Sequence, residues 1–306
     1  MNTFQPKGYL PLFLIFMFER MYFYGIRALL VLFMIKHLMF SMDKASNYYG
    51  WYLAALSFSP ILGGLISDIW LGRKKALLWS IIVAIFGCVL LAISSLASSA
   101  LLFYAATFLI VVGAMLFRPT IYTTLSNIYD SGHDPRRDGG FTLILLAINL
   151  GAFFAPLVCG TLGERFGWWS GFLTASIFMI AVLFLLKHVT TNIDLKASSP
   201  EPSSKNILFI TLLVILAVYL PYHLASNSID MANFTGAIIG GMSIPSSWIQ
   251  SLMLLPSFIF YLIFPWLWIK LARINKEPST IYKFVWGLAF LLLALLVYNF
   301  VVVRYV

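Results

Sequence analysis

Apolar residues fall into nine runs of membrane-spanning length, about 10–38, 48–70, 75–96, 100–126, 139–163, 168–188, 206–228, 247–272 and 280–303, separated by polar turns. A helix crosses the bilayer core with roughly 20 apolar residues and satisfies its own backbone polar groups there. The pattern therefore predicts an all-α, polytopic membrane protein with about nine transmembrane helices. The first run is interrupted by Glu19, Arg20 and Arg27. A charge near mid-membrane costs at least ~2.5 kcal/mol on insertion scales, so such residues mark a pairing or a wet cavity. On a helix, Phe16, Arg20, Tyr24 and Arg27 follow at spacings of four, four and three and share one face, with Glu19 at its edge. This predicts a cationic, aromatic-lined cavity within the membrane.

Composition sharpens that picture. Of 306 residues, 61% are hydrophobic and 10% charged, against about 25% charged in a soluble domain. The net charge of +9 resides in short loops without a DNA-binding motif, which argues against a nucleic-acid partner. Arg73, Lys74 and Lys75, then Arg136 and Arg137, then Lys187, Lys196 and Lys205, then Lys270, Arg273 and Lys276 follow alternate spans. The positive-inside rule then places the N-terminus in the cytoplasm. The first run is too long, and carries Glu19 and Arg20, for a cleaved signal peptide. Ala197 to Ser204 is the longest polar, proline- and serine-bearing stretch, and it reads as a cytoplasmic linker. The division predicted is residues 1–190 as a six-helix bundle, 191–206 as linker and 207–306 as a three-helix partial bundle. A basic turn after the second span, Leu71-Gly72-Arg73-Lys74-Lys75, is echoed after the eighth at Leu271-Ala272-Arg273, as parallel six-helix halves would produce.

Enzyme chemistry has no visible seat. The chain has no phosphate-binding glycine loop, His-Glu-x-x-His site or nucleophile motif, and His37, His133, His188 and His223 are scattered, so neither metal nor cofactor is expected. Cys88 and Cys159 lie in apolar helices and read as small core residues. Tyr48, Tyr49, Trp168 and Trp169 lie near predicted span ends and read as interfacial anchors.

Several stretches, in order, resemble the proton-dependent oligopeptide transporters, a branch of the major facilitator superfamily. They are Glu19-Arg20-Met21-Tyr22-Phe23-Tyr24-Gly25-Ile26-Arg27 in the first helix, and Gly63 to Lys75 in the loop between helices two and three. Arg137-Asp138-Gly139-Gly140-Phe141-Thr142, leading into Asn149, is similar to the fifth-helix signature; Ile244 to Leu252 and Lys276 to Ser279 are similar to the eighth helix and its loop. The resemblance implies a major facilitator fold in a bacterial inner membrane, and symport of di- or tripeptides with protons. By position it implies Arg20, Tyr24, Arg27, Arg118 and Asn149 at the substrate, and Asp68, Arg73 and Lys74 at the inner gate. The residues agree: three arginines against Glu19 leave a surplus of planar donors suited to a carboxylate.

Departures from the pattern matter as much. Phe16 stands where the family signature has a second glutamate, and Arg118 where a lysine is usual. Arginine does not lose its proton in a protein. Glu19, paired with Arg20, becomes the candidate for proton exchange, and His223 replaces the acidic group of the seventh helix. Helices ten to twelve have no counterpart, so a shortened transporter is expected, for which a second polypeptide or further copies would supply the missing helices. The alternative expectation is a non-transporting remnant or a peptide-binding membrane subunit.

Overall fold

The computed structural model describes residues 5–6, 8–129 and 136–192, with isolated positions between 238 and 286. Seven α-helices follow in order: α1 (Tyr9–Lys36), α2 (Met42–Ile66), α3 (Arg73–Ala97), α4 (Ala100–Asn127), α5 (Arg137–Ala155), α6 (Thr161–Phe166) and α7 (Trp168–Asn192). Two five-residue π-turns, Ser67–Leu71 and Pro156–Gly160, extend α2 and join α5 to α6. Five of these rods are long and apolar enough to cross a membrane: Met42–Leu71, Arg73–Ala97, Ala100–Asn127, Gly139–Phe166 and Trp168–Lys187. The 28-residue α1 has the length as well and carries the interrupting charges. The seventh, eighth and ninth predicted spans, and with them His223, lie outside the described residues apart from single positions. Ile238–Ile239 pairs antiparallel with Met242–Ser243, a two-residue ladder between the predicted seventh and eighth spans.

Local chemistry sets the helix ends. Ser41 caps α2 by accepting the Lys44 N–H, with Asp43 in the first turn, and Ser99 caps α4 by accepting from Leu102 N–H. Gly72, at φ +73°, makes the turn from α2 into α3 that a side chain would strain. Because the Ser41 cap starts α2 at Met42, Tyr48 and Tyr49 lie inside the helix rather than before it. Both are thereby corrected from interfacial anchors to interior groups: Tyr48 Oη and Thr107 Oγ1 of α4 lie 2.5 Å apart, and Tyr49 is 5% exposed. Trp168 stands at the first residue of a span as predicted, and its ring also packs edge-on against the fully buried Phe33 at 6.0 Å. Trp169, 41% exposed, keeps an outward position.

α1 runs between α5 and α7, α3 packs on α4 and α7, and α2 lies along α4. Without a hydrophobic drive between helices in lipid, close backbone approach and aromatic packing hold such rods together. Phe33 is the centre of one such cluster, touching Phe103 at 5.9 Å and Phe172 at 5.3 Å. At the α2–α4 crossing a methyl on Gly63 would run into the Met115 carbonyl. Met115 lies four residues before Pro119, which has no N–H to give it. Farther along the chain, Trp248 Nε1 donates to Thr161 Oγ1 at 2.7 Å and Ser251 Oγ to the Phe153 carbonyl at 2.7 Å. Trp248 and Ser251, in the predicted eighth span, are thus tied to the C-terminal end of α5 and the start of α6.

Candidate functional site: a guanidinium and aromatic cluster

The face predicted on α1 exists, and its charges are buried. Glu19 is 2% exposed and accepts two bonds from its neighbour, Arg20 Nε at 2.6 Å and Arg20 Nη2 at 3.2 Å. This is the side-on guanidinium fork, two parallel N–H groups on the two oxygens of one carboxylate. Phe16 fills its place with apolar bulk: it is 1% exposed and meets the Tyr122 ring edge-on at 5.0 Å.

One turn on, rings and cations alternate. The Phe23 ring lies 5.3 Å from Arg20 Cζ and 4.5 Å from Arg118 Cζ, so two guanidinium groups share one π-system. Phe23 stands edge-on to Tyr24 at 5.2 Å. Arg27 Cζ lies 6.0 Å from the Tyr24 ring and 5.9 Å from the Tyr49 ring, while Arg27 Nε donates to Tyr49 Oη at 2.6 Å. Tyr49 is therefore a site residue that sequence reading misplaced. The signal for it was the Ser41 cap with Asp43, which sets the helical register of α2. Replacing Tyr49 by Phe keeps the ring and removes the acceptor, and is expected to cost about 1.5 to 3 kcal/mol of stability as a lost hydrogen bond to a charged group. Thermal melting of the purified variant checks this, and an unchanged midpoint would deny the bond.

Arg118 completes the cluster from α4. Its Nη1 donates to the Leu56 carbonyl of α2 at 3.3 Å, whereas Nε and Nη2 are buried without a hydrogen-bond partner. Those two nitrogens form the same fork that Arg20 uses on Glu19. Buried guanidinium N–H groups left unmatched are costly and invite an acceptor. The cluster so holds three guanidinium groups and one carboxylate among the described residues. Asn149 is placed on α5, but its Nδ2 donates to the Leu145 carbonyl of its own helix at 2.7 Å. α5 itself passes close to Arg20, since a Cβ on Gly151 would meet the Arg20 Cβ at 2.7 Å.

The predicted gate residues lie elsewhere, around the turn from α2 to α3. Arg73, 6% exposed, stands 3.5 Å from the Asp68 carboxylate, and with the Asn127 amide assigned in the orientation that satisfies both its ends, Arg73 Nη1 donates to the Asn127 side-chain oxygen at the end of α4 at 3.2 Å. Lys74 is exposed. Asp68 and Arg73 so tie the α2–α3 turn to α4, and Lys74 stands outside that knot.

Comparison with known proteins fits this arrangement. An uncharacterised transporter of Bacillus subtilis, YclF, and the peptide transporter YePEPT of Yersinia enterocolitica are each 27% identical to this chain over 93% of it and 71% of their own length. Residues 74–219 match the POT family. A di-/tripeptide transporter of Lactococcus lactis is 32% identical over 78% of this chain and half of its own length. Among solved structures, a glutamate-to-glutamine mutant of peptide transporter POT with bound sulfate superposes with a TM-score of 0.70 at 23% identity, over 89% of this chain and 70% of that one. A POT family transporter bound to 5-aminolevulinic acid gives 0.68 at 21%, over 91% of this chain and 73% of that one. These likenesses show a POT-type helical fold, and the relatives named are transporters rather than enzymes.

Proposed function

We propose that this protein is a POT family member that carries di- and tripeptides across the bacterial inner membrane together with protons, its N-terminus in the cytoplasm. The observation that supports this most is the open fork of Arg118, buried near Arg20, with Glu19 the single carboxylate in the cluster among the described residues. A peptide supplies the missing acceptor at its C-terminal carboxylate, and Tyr24 and Asn149 line the approach. Glu19 is the proton carrier: a substrate carboxylate entering the cluster competes for Arg20, and the released glutamate takes up a proton. His223 on the seventh span is a second proton site. Asp68, Arg73 and Lys74 close the cytoplasmic side between cycles. In this reading residues 1–190 form a six-helix half, 191–206 the linker and 207–306 three helices of the second half.

Labelled dialanine uptake into proteoliposomes, with and without an inwardly directed proton gradient, tests the reading. Accumulation above the equilibrium level with the gradient, and equilibration only without it, is the expected result. Saturable binding without any accumulation would replace the carrier by a peptide-binding subunit. Neither binding nor uptake would defeat both.

A further inference from the structure

The fork of Arg118 stays open because something else holds the rest of that side chain. Pro60 lies inside α2 and has no N–H for the carbonyl four residues earlier, which is that of Leu56. That carbonyl accepts Arg118 Nη1 at 3.3 Å. In an ordinary helix it would already be engaged by the backbone, so the break at Pro60 creates the acceptor. The second support is Phe23, 7% exposed, whose ring centroid is 4.5 Å from Arg118 Cζ and 5.3 Å from Arg20 Cζ. This ring contact with Cζ occupies neither Nε nor Nη2, both of which are left without a hydrogen-bond partner. It also places negative π density near two like charges that would otherwise repel one another.

We propose that Pro60 and Phe23 are positioning residues that lock Arg118 with its Nε and Nη2 edge turned toward an incoming carboxylate. The inference rests on the function proposed above, but concerns how the fork is held rather than what is carried. Pro60 acts at a distance through the Leu56 carbonyl, and Phe23 acts through its ring beneath the Arg118 guanidinium carbon. Neither needs to touch the ligand.

Two variants separate positioning from mere structural support. Pro60→Ala returns a helical N–H to Leu56, so the helix gains a bond while Arg118 loses its fixed acceptor. Phe23→Leu keeps apolar bulk and removes the π face, and Phe23→Tyr keeps that face. The probes are dialanine and sodium acetate, each titrated against the thermal midpoint of the purified full chain in detergent, with Arg118→Gln as the baseline. Pro60→Ala is expected to melt no lower than the unaltered chain yet to weaken protection by both probes about fivefold, the loss of one modest contact. Phe23→Leu should weaken protection by a similar factor, and Phe23→Tyr should restore it. Unchanged protection in Pro60→Ala and Phe23→Leu overturns the proposal, as does an equal loss in Phe23→Tyr. Acetate protection without dialanine protection in the unaltered chain would defeat the peptide reading and leave the fork intact. Protection by neither probe would defeat both.

Discussion

Glu19→Gln is expected to lower stability by about 3 to 5 kcal/mol, the usual cost of breaking a buried ion pair from one side. The magnitude follows from where the pair sits. Glu19 is 2% exposed and both of its oxygens are engaged by Arg20. Glutamine fills the same volume but presents only one acceptor oxygen, with an amide that would face the guanidinium N–H groups. Three guanidinium groups would then share the cluster with no compensating carboxylate among the described residues, and in a low-dielectric interior that repulsion is weakly screened. Urea-independent thermal melting in detergent reads the loss. A midpoint within a degree of the unaltered chain would mean that the pair contributes nothing. In the uptake assay the same variant should equilibrate dialanine without accumulating it, since the group proposed to carry the proton is gone.

Arg118→Gln is expected to act with the opposite balance, leaving the fold nearly as stable while abolishing peptide binding. The side chain gives up one hydrogen bond to Leu56 and its contact with Phe23. Against those losses, two buried unpartnered N–H groups and the repulsion with Arg20 disappear. The net change in stability should therefore lie within about 1 kcal/mol. A carboxylate, by contrast, would lose two charge-assisted hydrogen bonds of about 1.5 to 3 kcal/mol each, at least a hundredfold in affinity. Equilibrium binding of labelled dialanine to the purified variant measures it, and affinity within threefold of the unaltered chain would remove Arg118 from the site. The two variants together separate a charge that holds the helices from a charge that waits for a ligand.

The helices themselves were legible because apolar runs of membrane length leave the backbone few options. Five of the predicted spans correspond to rods that open within a few residues of the predicted edges, and α2 is the one that starts six residues early. Its early start came from a capping serine and an acidic first turn, which hydropathy does not register. The charged face of α1 was legible as well, because spacing along one helix fixes which residues share a side. What each of them touches on a neighbouring helix was not. Tyr49, Phe23 and the Leu56 carbonyl enter the cluster through the packing of α1, α2 and α4, and no spacing within one segment reveals a partner on another. Pro60 was visible in the sequence as a proline inside a span, and only the structure shows that a side chain from α4 uses the carbonyl it frees.

The crossing of α2 and α4 at Gly63 bears on which changes the chain can tolerate over time. There the Met115 carbonyl occupies the space of the missing Cβ, so the alphabet at that position contracts to a single letter. Its near neighbours Leu62 and Leu65 are 44% and 56% exposed, so one apolar side chain can replace another there without a clash. Variation along α2 should accordingly be sharply uneven, with an immovable residue set among freely exchanging ones, and the two helices can alter their outer surfaces without altering the distance between their backbones.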